Sequence, residues 1–463
     1  TVDKLESFCI RDTFYFDDFS VVNHNQASWQ WSFPGASYIS DVNARNPKVL
    51  YATFGIHTAT LTITQNSLSV SKSITVNILA NSCGSDTIPG NALLISSNGN
   101  YANVPPLNLN SNTITISAWI KPNAVQNDWA GIVFCRGGTT TSGISLRSNL
   151  EFRFHWDAGN YGITTGLYVI PNEWNYVAFV MTPTAVTLYV NEKMVTKSGN
   201  FNPEMFDAAT YIGNDKNSTS RTFKGLIDEV CFWNRALTTD EIRALRHLTK
   251  DPTGTDTTLV AYYQFNEASG QAFDKVGTRH ASLTAGASRD ISTAPFASGS
   301  SSKITINNGG LYNFVNTDLT MAFPTAGGSV YPNGDVWVSK LNALPNDNAN
   351  QYPIENNYWV VNSYGTNSTF SPLDSIFFSG LPAMPNLNAS NYLLYERSEN
   401  AYGASWNIPI ANADSYFLNG NNSKLVFEAG NSINSFGQFS LNSFSEQYIG
   451  MEEIINDTEL KVT

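Results

Sequence analysis

Charge is scarce in this chain. Only 14% of its 463 residues are Asp, Glu, Lys or Arg, and the acids outnumber the bases 38 to 26, for a formal net charge of −12. A phosphate backbone requires clustered Lys and Arg, so nucleic acid is excluded as an expected partner, and anionic membrane surfaces are disfavoured. Long hydrophobic runs are missing too. None approaches the ~20 residues of a membrane-spanning helix, so no membrane insertion is expected. Histidine occurs five times, at His24, His57, His155, His247 and His280, each alone. With no H-E-x-x-H or H-x-H, a helical zinc site has no ligands. The four cysteines form no C-x-x-C. A G-x-S-x-G elbow and the phosphate-binding glycine motifs are also absent, which removes the simplest serine hydrolase and nucleotide chemistries.

What is present is a turn-rich β profile. Hydrophobic residues make up 42% and aromatics 13%, with 32 Gly and many Asn, Ser and Thr. Solubility then rests on neutral polar groups, as in all-β proteins that work outside the cell. A chain of 463 residues exceeds what one core supports, so two to four domains are expected. Helical apolar spacing is clearest over 238–247. The start, Thr1-Val2-Asp3-Lys4, shows no signal peptide and reads as an internal cut.

Short alternating strands fall at 13–16, 27–33, 58–63 and 73–78, the spacing of a small β-sandwich. Cys9 and Cys83 bracket it, and a disulfide between them would tie its entry to its exit. Four cysteines allow three connectivities, so spacing alone does not settle the pairing. Cys135 and Cys231 lie in strand patterns, where they either pair or stand as buried thiols. Turn residues over 81–90 mark one linker, and the small polar stretch 285–303 a second. Strands resume from Ile304 to Phe444, clearest at 358–361, 375–378 and 437–441. The expected fold is therefore all-β, three β-sandwich domains in tandem. They span 1–83, 91–285 and 303–447, with 448–463 a linker towards a missing domain. Trp29, Trp31, Trp119 and Trp174 fall in strand patterns and are expected in cores.

Three sets of motifs resemble known families. Gly225-Leu226-Ile227-Asp228-Glu229-Val230-Cys231-Phe232-Trp233 reads as a strand, and Thr238 with Glu241 forms a capping box opening a short helix. With the hairpin of 172–180 and 186–193 and the strand Thr113–Ile120, this resembles the laminin-G-like, concanavalin-A-type jelly roll, a fold used more for binding than for catalysis. Trp31-Ser32-Phe33-Pro34-Gly35, Asn46-Pro47-Lys48-Val49 and Gly55–Leu61 resemble the polycystic-kidney-disease (PKD) domain, chiefly a spacer and adhesive module. Glu355–Asn362 and Phe370–Ile376 look like the module preceding the sorting domain of type IX secretion substrates. That likeness implies a secreted or outer-membrane surface location in a Gram-negative bacterium, with the secretion machinery as a partner.

Candidate site residues follow. Glycosidases of this fold place two carboxylates on one sheet face. The nearest pair, Asp228 and Glu229, are neighbours in a strand and should point to opposite faces. In related domains acids near the position of Asp228 hold Ca²⁺, which takes six to eight oxygens. The family's early F-D-G-x-x-D-Y is here Ile95–Tyr101, with Ser96 and Asn100 in place of the acids. Asp228 with Asn100 is thus the candidate for a structural Ca²⁺, against the reading that Asp228 only accepts backbone N–H groups. Trp156, Asp157, Asn160 and Tyr161 group a flat ring with amides and carboxylates, as a sugar site does. The bland alternative is that Trp156 is a packed residue. The implied function is non-catalytic binding or adhesion at an extracellular glycan or protein surface through the jelly roll. The alternatives are an accessory region of a pappalysin-like zinc protease, or a structural spacer.

Overall fold

Alternating apolar and small polar residues, broken by Gly, Asn and Pro turns, leave most of the chain extended. In the computed structural model the strands form six sheets, paired into three sandwiches. The structure describes residues 1–443 other than 8–12, 24, 52, 54, 79–88, 158, 252–255, 285, 347–351, 385–387, 399–405, 407, 408, 421 and 429–431. Cys9 and Cys83, expected as a disulfide, lie outside the described residues, as does the stretch 448–463.

The first sandwich packs a four-stranded sheet on a three-stranded one. Phe14, Phe16, Trp31, Phe33, Val49, Tyr51 and Val76 fill the space between, and Trp31 stacks on Phe33 with centroids 5.4 Å apart. Trp29 departs from expectation. It is only half-buried, and its indole N–H donates to the Asp18 carboxylate at 2.7 Å.

The second sandwich is the jelly roll. One sheet runs in the order Lys193–Ser198, Ala185–Val190, Asn175–Thr182, Ile114–Pro122, Gly225–Trp233, Asn91–Ile95 and Ala287–Ile291, with Leu259–Tyr263 also paired to Gly225–Trp233. The other runs Asn160–Tyr161, Phe152–Trp156, Thr140–Leu146, Ala130–Gly137, Thr210–Ile212, Ala102–Val104 and Ser282–Leu283. Between them lies a core that includes Ile116, Val133, Ile144, Phe154, Trp156, Phe179 and Phe232. Cys135 and Cys231 are buried free thiols, and burial raises both above the usual thiol range.

The stretch 285–303 is not a linker. Ala287–Ile291 pairs with Asn91–Ile95 at the jelly-roll edge, Ala294 and Phe296 pack beneath the helix, and Gly299–Ile306 already belongs to the third sandwich. Small polar residues mislead here because an edge strand needs few large side chains. The third sandwich sets Gly299–Ile306, Gly334–Leu341, Tyr358–Ser363, Gln438–Ser443 and Tyr392–Arg397 against Leu319–Phe323, Ser375–Pro382 and Asn422–Phe427. Trp359, Phe378, Phe427 and Phe439 lie in its core.

The only helix of more than one turn among the described residues, Thr239–Leu245, carries the expected capping box. It and the chain after it join the second and third sandwiches. The Arg246 guanidinium, 1% exposed, bonds Glu192 of the jelly roll at 2.6 Å and the Tyr364 hydroxyl of the third sandwich at 3.3 Å. Leu248 bridges Ala297, within an apolar contact that includes Leu341, Tyr358 and Val360. No helix among the described residues is long and apolar enough to cross a membrane.

Candidate functional site

Strand parity sorts the candidate residues. In Phe152–Trp156, Phe152, Phe154 and Trp156 point into the core while Arg153 and His155 point out of the sheet. Trp156 is therefore not a stacking platform, contrary to the sequence expectation. It has no exposed surface, lies 6.0 Å from the rings of Phe179 and Phe206, and donates its indole N–H to the Asn202 carbonyl at 2.8 Å. Asp157 adopts a left-handed φ of 49° and accepts N–H bonds from Gly159 (2.7 Å) and Asn160 (3.1 Å), so both residues serve to close the hairpin. Of the four, Trp156 is buried, Asp157 and Asn160 are half-buried, and only Tyr161 is exposed. It is 54% exposed and opposes His155 on the outer face.

From Tyr161 a row of rings crosses the sheet. Tyr161 stacks on His155 at 4.9 Å and stands edge-on to Trp129 at 6.3 Å. His155 meets Phe134 at 5.6 Å, Phe134 is in register with Tyr211, and Tyr211 meets Tyr101 at 5.1 Å. Gly143, paired with both Phe134 and His155, leaves the floor low between them. A Cβ there would come 2.8 Å from the Phe134 ring. Burial and the Arg136 guanidinium hold His155 below its usual pKa, so near neutral pH it is an uncharged ring.

Charged groups edge this row. Asp215 receives Arg136 Nε on one oxygen and Arg221 Nη1 on the other, each at 2.6 Å. Asp128 receives Arg147 through two bonds, at 3.0 and 3.1 Å. The Arg147 guanidinium lies 4.7 Å from the Trp129 ring, that of Arg221 5.6 Å from it, and that of Arg136 5.0 Å from Phe134. Lys216 donates to the Tyr101 hydroxyl at 2.7 Å. Phe134, at the centre of the row, is itself buried at 1% exposed, while Trp129, His155, Tyr211 and Tyr101 are half-buried and Tyr161 is exposed. Sequence reasoning missed Trp129, Phe134, Arg136, Tyr211 and Arg221, although Arg153 and His155 standing between Phe152, Phe154 and Trp156 marked the outward parity.

The Asp228–Glu229 pair lies elsewhere, on the outer face of the opposite sheet. The expectation that they point to opposite faces fails because the strand bulges. Ser117 opposes Cys231 but Trp119 opposes Asp228, and Glu229 takes a left-handed φ of 50°. Both carboxyls enter one chamber with Lys250, whose ammonium is 3.8 Å from Glu229. Tyr262 donates its hydroxyl to Glu229, and Gln264 donates to Tyr262. Burial raises both carboxyl pKa values, most strongly at Asp228, where the neighbouring Glu229 charge adds to it. Asp228 is 0% and Glu229 1% exposed, so no substrate reaches them. Asp228 does accept a backbone N–H, that of Glu229, at 2.8 Å.

The pair Asp228 and Asn100 does not fit Ca²⁺. Asp228 is fully buried and faces the Lys250 ammonium, whereas Asn100 lies against Gly286. Among the described residues no group of three His, Cys, Asp or Glu is placed to hold a metal ion.

Residues 96–243 match the laminin-G-like family described as the concanavalin A-like lectin/glucanases superfamily. This stretch carries the whole aromatic row, and its unit is a laminin-G-like jelly roll. Among solved structures, the chain is similar to a candidate carbohydrate-binding protein from Bacteroides ovatus, at 17% identity over 64% of this chain and 98% of that one, with a TM-score of 0.37. It is also similar to domain 4 of AbnA, an extracellular arabinanase from Geobacillus stearothermophilus solved with arabinotriose, at 21% identity over 33% and 85%, TM-score 0.27. A third likeness is to the LG1–3 region of the laminin alpha2 chain, at 8% identity over 94% and 96%, TM-score 0.29. Such likenesses carry nothing about ligands. No curated protein matches the chain.

Proposed function

We propose that this chain is a non-catalytic binding region of a secreted or surface-exposed bacterial protein, and that the outer face of the jelly-roll sheet bearing Tyr161 and Tyr211 holds a glycan. One observation carries the reading. The ring row from Trp129 and Tyr161 to Tyr211 and Tyr101 lies on the outer face of this sheet, partly open to solvent on either side of the buried Phe134, with hydrogen-bonding groups at its edges. Sugar rings present apolar faces that stack on such rings, and their hydroxyls need polar neighbours. Binding rather than hydrolysis suits this face because the Asp215, Asp128 and Glu151 carboxylates are each tied to a guanidinium.

The first sandwich fits a PKD-like spacer, with Trp31 and Phe33 of its signature stacked in the core. Secretion by the type IX route and a Gram-negative surface location complete the proposal, resting on the sequence resemblance. Affinity electrophoresis of the whole chain through gels containing single polysaccharides tests the glycan reading. Retardation that is lost in Trp129→Ala and Tyr211→Ala, both still folded, is the expected result. Retardation unchanged in both variants removes this face from the site.

A further inference from the structure

We propose that Lys250 and Glu229 form an intramolecular isopeptide bond, an amide between the lysine Nζ and the glutamate side-chain carbonyl, inside the sealed chamber of the jelly roll. The two ends are already neighbours. Nζ lies 3.8 Å from Glu229 Oε2, and the two side chains keep 4% and 0% of their surface. They do not meet as a good ion pair, because that separation is too long for a hydrogen bond. Lys250 Nζ, Glu229 Oε1 and Asp228 Oδ2 have no hydrogen-bond partner among the described residues, although all three are buried. Unpaired polar atoms in such a place are costly, and buried charges more so. One amide resolves all three. Nζ becomes the amide nitrogen, Oε1 leaves, and the remaining N–H has as its acceptor Asp228, which shares the chamber.

The groups the condensation needs are present. Burial opposes the charge of Lys250, and the acidic groups around it, Cys231 and Glu229 first, hold its pKa above the usual. Passing that proton to Glu229 turns a buried ion pair into a neutral amine and a neutral acid, which are the two reactants. Nζ attacks the Glu229 carboxyl carbon. The oxygen that accepts the Tyr262 hydroxyl takes the developing charge and stays as the carbonyl. The other oxygen leaves as water with two of the three ammonium protons, the third remains on the amide, and no oxidant or cofactor is consumed. Asp228 relays the protons, since burial and the Glu229 charge keep it protonated to higher pH than an ordinary Asp. Rigid placement supplies the rest. Glu229 is fixed by the bulge in a fully buried strand, and Thr249, next to Lys250, donates its N–H to Ala297 at 2.9 Å. The bond closes the 229–250 loop that carries the helix. It also pins to the jelly-roll core the stretch 247–249, on which Ala297 docks at the entry to the third sandwich.

Intact-mass measurement of the whole chain, denatured and with its thiols reduced, tests the bond directly. The expected mass is one water below that of the sequence. Trypsin should then leave Lys250 uncut and yield one branched peptide joining 225–235 to 247–275. Lys250→Arg keeps the charge, cannot form the amide and should recover the missing water. Asp228→Asn should slow the bond's appearance in freshly synthesised chain at least about tenfold; an unchanged rate overturns the relay. The full sequence mass with ordinary cleavage after Lys250 overturns the bond, as does a water still missing from Lys250→Arg. Fragmentation that places the branch at Asp228 overturns Glu229 as the acyl partner. Should Lys250→Arg not fold, the parent's peptide map still decides.

Discussion

The two sheets of the jelly roll share an apolar inner face and differ in what lies outside. The outer face of the sheet holding Gly225–Trp233 carries Trp119, Trp174, Tyr176, Cys231 and Trp233, and is sealed by Leu237 and Ile242 at the helix, by Ala294 and by Phe296. All nine residues of Gly225–Trp233 are buried. The outer face of the other sheet carries Arg136, His155, Tyr161 and Tyr211, all at least partly open to solvent. One fold thus serves two ends. The sealed sheet anchors the next domain through Arg246 and Leu248, and the partly open one meets the surroundings. Ionisable groups differ in pairing. Asp228 and Glu229 share one buried chamber with Lys250 and have raised pKa values, whereas on the other sheet Asp215 and Asp128 are each paired with guanidiniums.

The largest expected effect tests which side of this division Trp156 belongs to. Trp156→Ala removes a fully buried indole and its bond to Asn202, and should cost about 3–5 kcal/mol of stability in urea unfolding. A folded variant within about 0.5 kcal/mol of the parent would put the ring outside the core and restore it as a surface platform.

A second effect comes from the sealed side. Burial, with the Arg246 charge beside it, lowers His247 to a pKa of about 3, and its Nδ1–H donates to the Pro295 carbonyl at 2.6 Å. An unfolded histidine titrates near 6.5. Below that pH the unfolded chain takes up a proton that the folded one refuses, so stability is full above about 6.5 and falls as pH drops towards 3. Between pH 6.5 and 4.5 the loss should reach about 2 kcal/mol. Asp228 and Glu229 act in the opposite sense, because their raised pKa values let the folded state take protons first. The measurement is therefore a difference. His247→Asn should lose less stability than the parent over this window, and identical slopes would show that His247 is solvated.

The sequence made one half of this comparison legible. The three sandwiches, the capping box of Thr238 and Glu241, and the core places of Trp31, Trp119 and Trp174 all follow from alternation and turn chemistry, which are local. The bulge at Glu229 did not, because one extra residue reverses the parity of everything beyond it and leaves no compositional mark. The site was legible only at Tyr161. Trp129 with Phe134, Tyr101 and Tyr211 come from three separate segments, and only strand pairing brings them into one row. Trp156 misled because it stands next in sequence to the polar turn residues Asp157, Gly159 and Asn160. Its parity with Phe152 and Phe154 was the better guide.

The smallest effect on stability should accompany a clear effect on binding, at Tyr161. The ring is over half exposed, and its neighbours His155 and Trp129 are held independently, by the strand Phe152–Trp156 and by contacts to Arg147 and Arg221. Tyr161→Ala should therefore change unfolding free energy by less than about 0.5 kcal/mol. A stacked ring contributes about 0.5–1.5 kcal/mol beyond its buried area, so affinity for a retained polysaccharide should fall about two- to twelvefold. Tyr161→Phe keeps the ring and loses only the hydroxyl, and should bind nearly as the parent does. If Phe behaves like Ala, a hydroxyl bond rather than stacking holds the sugar at this end. If Ala binds like the parent, the site ends at His155 and the row is shorter than its geometry suggests.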